Sequence, residues 1–242
     1  MIKILNLSKD FGDKKIIKNM TLDIPEGQKL AVIGPSGCGK STLLRLLIGI
    51  DRPTKGLITI DNTDIGLLDQ DALMEVRKKI GMVFQSSALF DSMDVFENVA
   101  FGLRQREELP ENEIKARVRQ KLKMVDLDGT QDYMPSELSG GMQKRISLAR
   151  AIAGDPRIMF YDEPTTGLDP VTSTNIEDLM NKLNKEMNVT SIVVTHQLST
   201  IFRTSDRIVM LHEGRLIEAG SVEEARRSAD PVISNFIKGG LP

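Results

Sequence analysis

The stretch Gly34-Pro35-Ser36-Gly37-Cys38-Gly39-Lys40-Ser41 has the residue types and spacing to hold a chain of phosphates. Its glycines reach backbone conformations closed to other residues, so successive N–H groups turn inward and form a nest for an anion. A helix opening at Lys40 brings its positive dipole end to the same place. Lys40 adds a compact positive charge for the β- and γ-phosphates. Ser41, followed by Thr42, offers a hydroxyl to Mg²⁺, a hard cation that takes oxygen ligands. The spacing fits G-x-x-x-x-G-K-[ST], and its context is a buried strand before and a helix after. The alternative is a glycine-rich turn without a ligand. Cys38 inside the loop reads as a small filler or as a redox-active thiol.

A second constellation follows the apolar run Ile158-Met159-Phe160-Tyr161, which ends in Asp162-Glu163. In open α/β sheets, ligands gather at the C-terminal ends of the strands. There Asp162 would orient Mg²⁺ through water, and Glu163 would polarise an attacking water as a general base. The competing reading is a solvated pair of acids at a strand end.

The third is Leu138-Ser139-Gly140-Gly141-Met142-Gln143. Serine is a good N-cap, while two glycines are poor helix formers. A helix start with bare N–H groups suits a phosphate. With this segment the chain resembles the ATPase family of ABC transporters, whose signature is LSGGQ, and the resemblance covers essentially the whole chain. It implies ATP and Mg²⁺ as ligands and a head-to-tail homodimer with nucleotide sandwiched between the copies. Phe11 then stacks on adenine with Ile16 beside it, and Gly34 through Thr42 hold the phosphates. Ser139, Gly140, Gly141 and Met142 of a second copy close over the γ-phosphate, next to the D-loop residue Asp169. Gln85 is implied to touch Mg²⁺ together with Ser41 and Asp162, and to face a membrane partner. His196 matches the switch histidine, so catalysis is implied to rest on Glu163, His196, Lys40 and Gln85. Met142 stands where the family usually has glutamine; Ser139 and Gly141 are unchanged.

Three further stretches are similar to the ATPases of Mce/Mla-type phospholipid transporters: residues 87–100, residues 134–142, and Asp230-Pro231 with Phe236-Ile237-Lys238-Gly239. The methionine of LSGGM fits that group, as does Leu103-Arg104 leading into a charged segment and Leu109-Pro110. The resemblance implies phospholipid transport through a separate integral-membrane permease dimer, with an Mce-domain protein and a small STAS-like subunit in the complex. The alternatives are the ATPase of an importer for amino acids or another small solute, and a nucleotide-gated module that does not hydrolyse.

These residues need a scaffold, and the pattern supplies one. Apolar strands alternate with amphipathic helices, which indicates α/β with a mainly parallel sheet. Ile2-Leu7 and Ile16-Ile24, joined by a turn at Gly12-Asp13, read as an N-terminal antiparallel β addition. Strands are expected at Lys29-Ile33, Gly56-Ile60, Gly81-Phe84, Ile158-Tyr161, Ser191-Val194, Arg207-Leu211 and Leu216-Glu218. Helices are expected from Lys40 to about Gly49, at Val95-Leu103, at Glu111-Val125 with Ile114, Val118, Leu122 and Val125 on one stripe, from Ser139 to before Pro156, at Thr172-Met187 and at Pro231-Ile237. The expected architecture is a P-loop NTPase core with an inserted α-helical lobe. It forms a single ABC ATPase domain over 1–242, with 1–85 and 155–242 as core and about 86–154 as helical subdomain. The segment after Ser221 is either a partner-binding tail or a set of capping helices packed through Val222, Ala225, Val232 and Phe236.

Composition fits this reading. Of 242 residues, 40% are hydrophobic and 27% charged, and a net charge of −2 gives no general attraction to nucleic acid. The single Cys38 rules out an internal disulfide and points to a reducing compartment. No window approaches the ~20 apolar residues that span a bilayer, and no leader pattern opens the chain. The expected location is peripheral, on the cytoplasmic side of the inner membrane. The segment between Lys40 and Ser139 is too short for the coiled coil of a chromosome or repair ATPase. One phosphate loop, not two, argues against a translation-factor ATPase.

Overall fold

The computed structural model describes residues 1–106 and 109–239. Glu107 and Glu108, part of the charged segment noted after Arg104, lie outside the described residues, as do residues 240–242.

The chain folds as two compact units, Met1–Arg77 with the chain from Thr190 onward, and Lys78–Val189. The first opens with β1 (Ile2–Phe11), β2 (Lys14–Ile24), β3 (Lys29–Ile33), α1 (Lys40–Leu47), β4 (Lys55–Ile60), β5 (Thr63–Asp64) and α2 (Gln70–Lys78). The second runs through β6 (Ile80–Val83), α3 (Val95–Arg106), α4 (Glu111–Met124), α5 (Gly140–Ile152), β7 (Ile158–Asp162) and α6 (Pro170–Met187). The first then resumes with β8 (Thr190–Val194), α7 (Leu198–Thr204), β9 (Arg207–His212), β10 (Arg215–Gly220), α8 (Val222–Arg226) and α9 (Pro231–Ile237).

In the first unit, β1 alternates buried Ile2 and Ile4 with exposed neighbours and pairs antiparallel with both β2 and β4, giving the order β2-β1-β4-β5. This is the expected antiparallel addition, with β1 and β2 longer than the pattern indicates. The turn at Gly12, with φ of 56°, lets the hairpin run out to Phe11 and Lys14. A second layer has β3 between β8 and β9, parallel to both, with β10 antiparallel on β9. The Leu30–Ile33 run is buried throughout, as strands of parallel sheets covered on both faces are. Ala225, Ile233 and Phe236 are buried against Ala31, Ile33, Ile201, Ile208 and Met210, with Val222 and Val232 half-buried beside them. The C-terminal segment therefore caps the core.

In the second unit, β6 and β7 pair in parallel. Three helices build the apolar interior: Val95, Val99 and Leu103 from α3, Ile114, Val118 and Leu122 from α4, and Ile146, Ala149 and Ile152 from α5. The stripe expected on α4 is the one buried.

Several helices differ from expectation, among them α3, which runs on from Leu103 to Arg106. Helix α2 is absent from the expected set although it is amphipathic, with Leu73 and Val76 one turn apart on its buried face; its nine residues give that stripe little length. Helices α7 and α8 span seven and five residues, too short to show a period; α8 is set instead by a capping box between Ser221 and Glu224. Helix α6 begins at Pro170, not Thr172, because proline suits the first helical position and Asp169 caps it through the N–H groups of Val171 and Thr172, both at 3.0 Å.

Candidate nucleotide site

The phosphate loop joins β3 to α1 in the first unit. Gly34, Gly37 and Gly39 have φ of 147°, 77° and 112°, so the loop needs glycine for its path. Space imposes a second requirement. A Cβ on Gly34 would stand 2.3 Å from the Leu211 carbonyl oxygen, and one on Gly39 would stand 2.8 Å from the Ile16 Cγ2. The second contact places Ile16 directly against the loop. Lys40 is buried and curls over the turn, its Nζ donating to the carbonyls of Gly34 at 2.8 Å and Pro35 at 3.1 Å. Pro35, Cys38 and Thr42 are half-buried, while Ser36, Gly37 and Ser41 are exposed. Burial pushes the Cys38 thiol up from its ordinary value, against the pull of Lys40.

Phe11 ends β1 and is 48% exposed, and the Lys9 ammonium lies 4.6 Å from its ring centre. One aromatic face thus carries a cation. His196 is exposed on the bend between β8 and α7. The N-cap position of α7 belongs to Gln197, so His196 does not serve as that helix's cap.

In the second unit, β7 delivers half-buried Asp162 and buried Glu163 at its end. Glu163 has φ of 48°, a left-handed conformation unusual for a residue with a long side chain, and Thr166 Oγ1 donates to its Oε2 at 3.0 Å. The tight turn aims a carboxylate where an extended strand would not. Gln85 is exposed just after β6. Ser139 caps α5, accepting from the Met142 N–H at 3.3 Å. Gly140 is exposed, and Gly141 and Met142 are half-buried. A Cβ on Gly141 would come 2.8 Å from Thr172 Cγ2, so the helix tip packs closely on α6, next to the turn that Asp169 caps.

A family model described as "ABC transporter" matches residues 17–166. The "Intermembrane phospholipid transport system ATP-binding protein MlaF" of Haemophilus influenzae is 43% identical over 239 residues, 99% of this chain and 90% of that one. The chain belongs to the ABC transporter ATP-binding family. The "Methionine import ATP-binding protein MetN 1" of Bacillus cereus is 40% identical over 228 residues, 93% of this chain and 66% of that one. A dimeric post-hydrolysis state of the ATP-binding cassette MJ0796 bound to ADP and Pi matches with a TM-score of 0.81 at 36% identity, covering 90% of this chain and 98% of that one.

This ABC ATPase binds ATP with Mg²⁺ and hydrolyses it in a reaction coupled to transport. Its residues fit both ligands. The glycine loop leaves no room for a Cβ at Gly34 or Gly39, and it brings backbone N–H groups, an ammonium and two hydroxyls to one turn. Ser41 offers a hydroxyl oxygen in the first unit, and Gln85 and Asp162 offer oxygens in the second, the donor type Mg²⁺ takes. Among the described residues no group of three or more His, Cys, Asp or Glu gathers to hold a metal unaided.

The motifs do not reveal Lys144. It is 4% exposed on α5, and its Nζ donates to the Gln85 carbonyl at 2.6 Å and the Phe84 carbonyl at 3.2 Å. Burial pushes its ammonium down to about 8, opposed by the attraction of Asp162 and Glu163. Thr166, the partner of Glu163, is missed as well. The signal for Lys144 is a lysine one turn inside the helix, on the side that carries buried Ser147, Leu148 and Ala151.

Proposed function

We propose that this ABC ATPase powers phospholipid transport between membranes through a separate permease. The observation that carries the reading is the 43% identity, over 99% of the chain, with a protein named for intermembrane phospholipid transport. LSGGM and the three stretches noted above agree with it. Two copies sandwich two ATP molecules, a reading supported by the dimeric MJ0796 cassette. In each site Phe11 and Ile16 hold the base and Gly34 through Thr42 hold the phosphates. Ser139, Gly140, Gly141 and Met142 of the other copy, with Asp169, close over the γ-phosphate. Ser41, Gln85 and Asp162 would hold Mg²⁺, which supplies charge neutralisation at the phosphates. Glu163 and His196 align water with the γ-phosphate, and Lys40 balances the charge that develops there.

The chain acts as one ABC ATPase domain, with a core of 1–85 and 155–242 and a helical subdomain of about 86–154 that meets the permease. Among the described residues no helix is long and apolar enough to cross a membrane. The chain sits peripherally, on the cytoplasmic side of the inner membrane, with an Mce-domain protein and a small STAS-like subunit completing the complex. An importer ATPase is the second reading, favoured by the 40% identity with the methionine import protein. Co-purification of the tagged chain from native membranes separates the two. Recovery with a permease and an Mce-domain protein supports lipid transport; recovery with a solute-binding protein and an unrelated permease overturns it.

A further inference from the structure

Helix α5 makes two cationic grips on the loop that follows β6. At one, Lys144 Nζ donates to the carbonyls of Phe84 and Gln85. At the other, Arg150 donates to the Ser87 carbonyl at 2.8 Å and to the Ala88 carbonyl. Ser87 and Ala88 have φ of 60° and 49°, so this loop is folded into a conformation that side-chain-bearing residues seldom adopt, and four of its carbonyls are held by charge. The support continues downstream. Asn98 on α3, fully buried, accepts from the Phe90 N–H at 2.8 Å and donates to the carbonyls of Phe90, Met93 and Asp94. Beneath the loop, β6 sits so close to its neighbours that a Cβ on Gly81 would fall 2.5 Å from the Ala151 carbonyl oxygen at the end of α5. Helix and loop thus share charged hydrogen bonds and tight packing.

The N-cap and first turn of the same helix are Ser139, Gly140 and Gly141. Taking Gln85 and Ser139 in the roles given under Proposed function, we propose that Lys144 is a positioning residue that makes the Gln85 loop and the α5 tip one moving body. Motion of the tip as it meets the partner copy's nucleotide is then delivered to Gln85 through backbone carbonyls, not through side-chain contact with the substrate. The attraction of Asp162 and Glu163 partly offsets the burial that pushes the Lys144 ammonium down. Burying an ammonium is costly, and an apolar side chain would have filled this space more cheaply unless the carbonyls needed a donor.

The test compares Lys144→Met, which keeps the stem and removes the donor, with Lys144→Arg, which keeps a cation. Amide hydrogen exchange across residues 84–90 of the nucleotide-free full chain reads the clamp directly. In Lys144→Met it should rise about tenfold or more while β7 and α6 keep their protection. Turnover should fall about tenfold with KM for ATP changed by less than about threefold, and Lys144→Arg should recover most of both. Exchange and turnover at the parent level in Lys144→Met would overturn the proposal. So would exchange raised over all helices alike, which reads as general loosening, or a folded Lys144→Arg that recovers neither. Gln85→Ala is the control for the underlying reading. If its half-saturating Mg²⁺ concentration equals the parent's, the role given to Gln85 fails while the exchange result on Lys144 still stands or falls alone.

Discussion

Thr166 donates its hydroxyl hydrogen to the Glu163 carboxylate at 3.0 Å, across a turn in which Glu163 itself has φ of 48°. A left-handed conformation costs a residue with a Cβ about 1–2 kcal/mol. Held strain of this kind fits a residue kept for chemistry. Glu163→Gln, which preserves the shape, should cut turnover by about a hundredfold or more while ATP binding measured by calorimetry stays near the parent value. Glu163→Gly should be equally inactive yet melt about 2–4 °C higher, because glycine relieves the strain. A lower melting temperature for Glu163→Gly would remove the strain argument. Parent-level turnover in Glu163→Gln would remove its role as base.

The two signature glycines should separate packing from nucleotide contact. A Cβ on Gly140 meets only Leu168, at an ordinary 3.7 Å, whereas one on Gly141 collides with Thr172 at 2.8 Å. Gly140→Ala should therefore fold with a melting temperature at or above the parent's, alanine being the better helix former. Gly141→Ala should melt lower, and adding Thr172→Ser should restore much of the loss. Both alanines should still weaken the ATP-dependent dimer in a Glu163→Gln background, read by size-exclusion chromatography with light scattering. A Gly140→Ala chain that dimerises as its parent does would take the phosphate away from this helix tip.

How much of this is visible in the amino-acid order depends on whether a residue acts through its own segment or through a distant one. The phosphate loop is local: its glycines, Lys40 and Ser41 lie in one run, and the strand and helix that flank it follow from burial pattern and period. The buried stripe of α4 is legible for the same reason. Helix α2 is less so: Leu73 and Val76 lie one turn apart on its buried face, but over nine residues that stripe is short. Lys144 is not, because its partners at Phe84 and Gln85 are backbone carbonyls 60 and 59 positions earlier. Backbone acceptors carry no side-chain identity, so no residue type announces them. The left-handed turn at Glu163 is hidden too, since the sequence places glutamate where geometry alone would favour glycine or asparagine.

Lys40 closes its own loop by donating to Gly34 and Pro35, so its loss should act on binding first. Lys40→Ala should weaken ATP affinity about tenfold to a hundredfold by calorimetry, the range expected for a charge-assisted hydrogen bond in a buried setting. Gly39→Ala should weaken it through shape, since its Cβ has no room beside Ile16 and its φ of 112° excludes alanine. Pairing Gly39→Ala with Ile16→Ala should recover little, because the conformational cost remains once the clash is gone. Full recovery in the pair would make the requirement at Gly39 one of space alone.

Cys38 separates the two meanings its position allows. Burial disfavours the thiolate and pushes its pKa up, and the nearby Lys40 offsets this only in part. The sign is therefore against reactivity. At pH 7 to 8 the protonated thiol dominates, and alkylation by iodoacetamide should run slower than for a free cysteine, gaining speed only as pH climbs above the ordinary thiol value. Bound ATP should slow it further by covering the loop, and Cys38→Ser should keep ATP turnover within about twofold, as expected of a small filler. Rapid alkylation near neutral pH, together with loss of turnover in Cys38→Ser, would mean that the thiol is held there for its chemistry and not for its size.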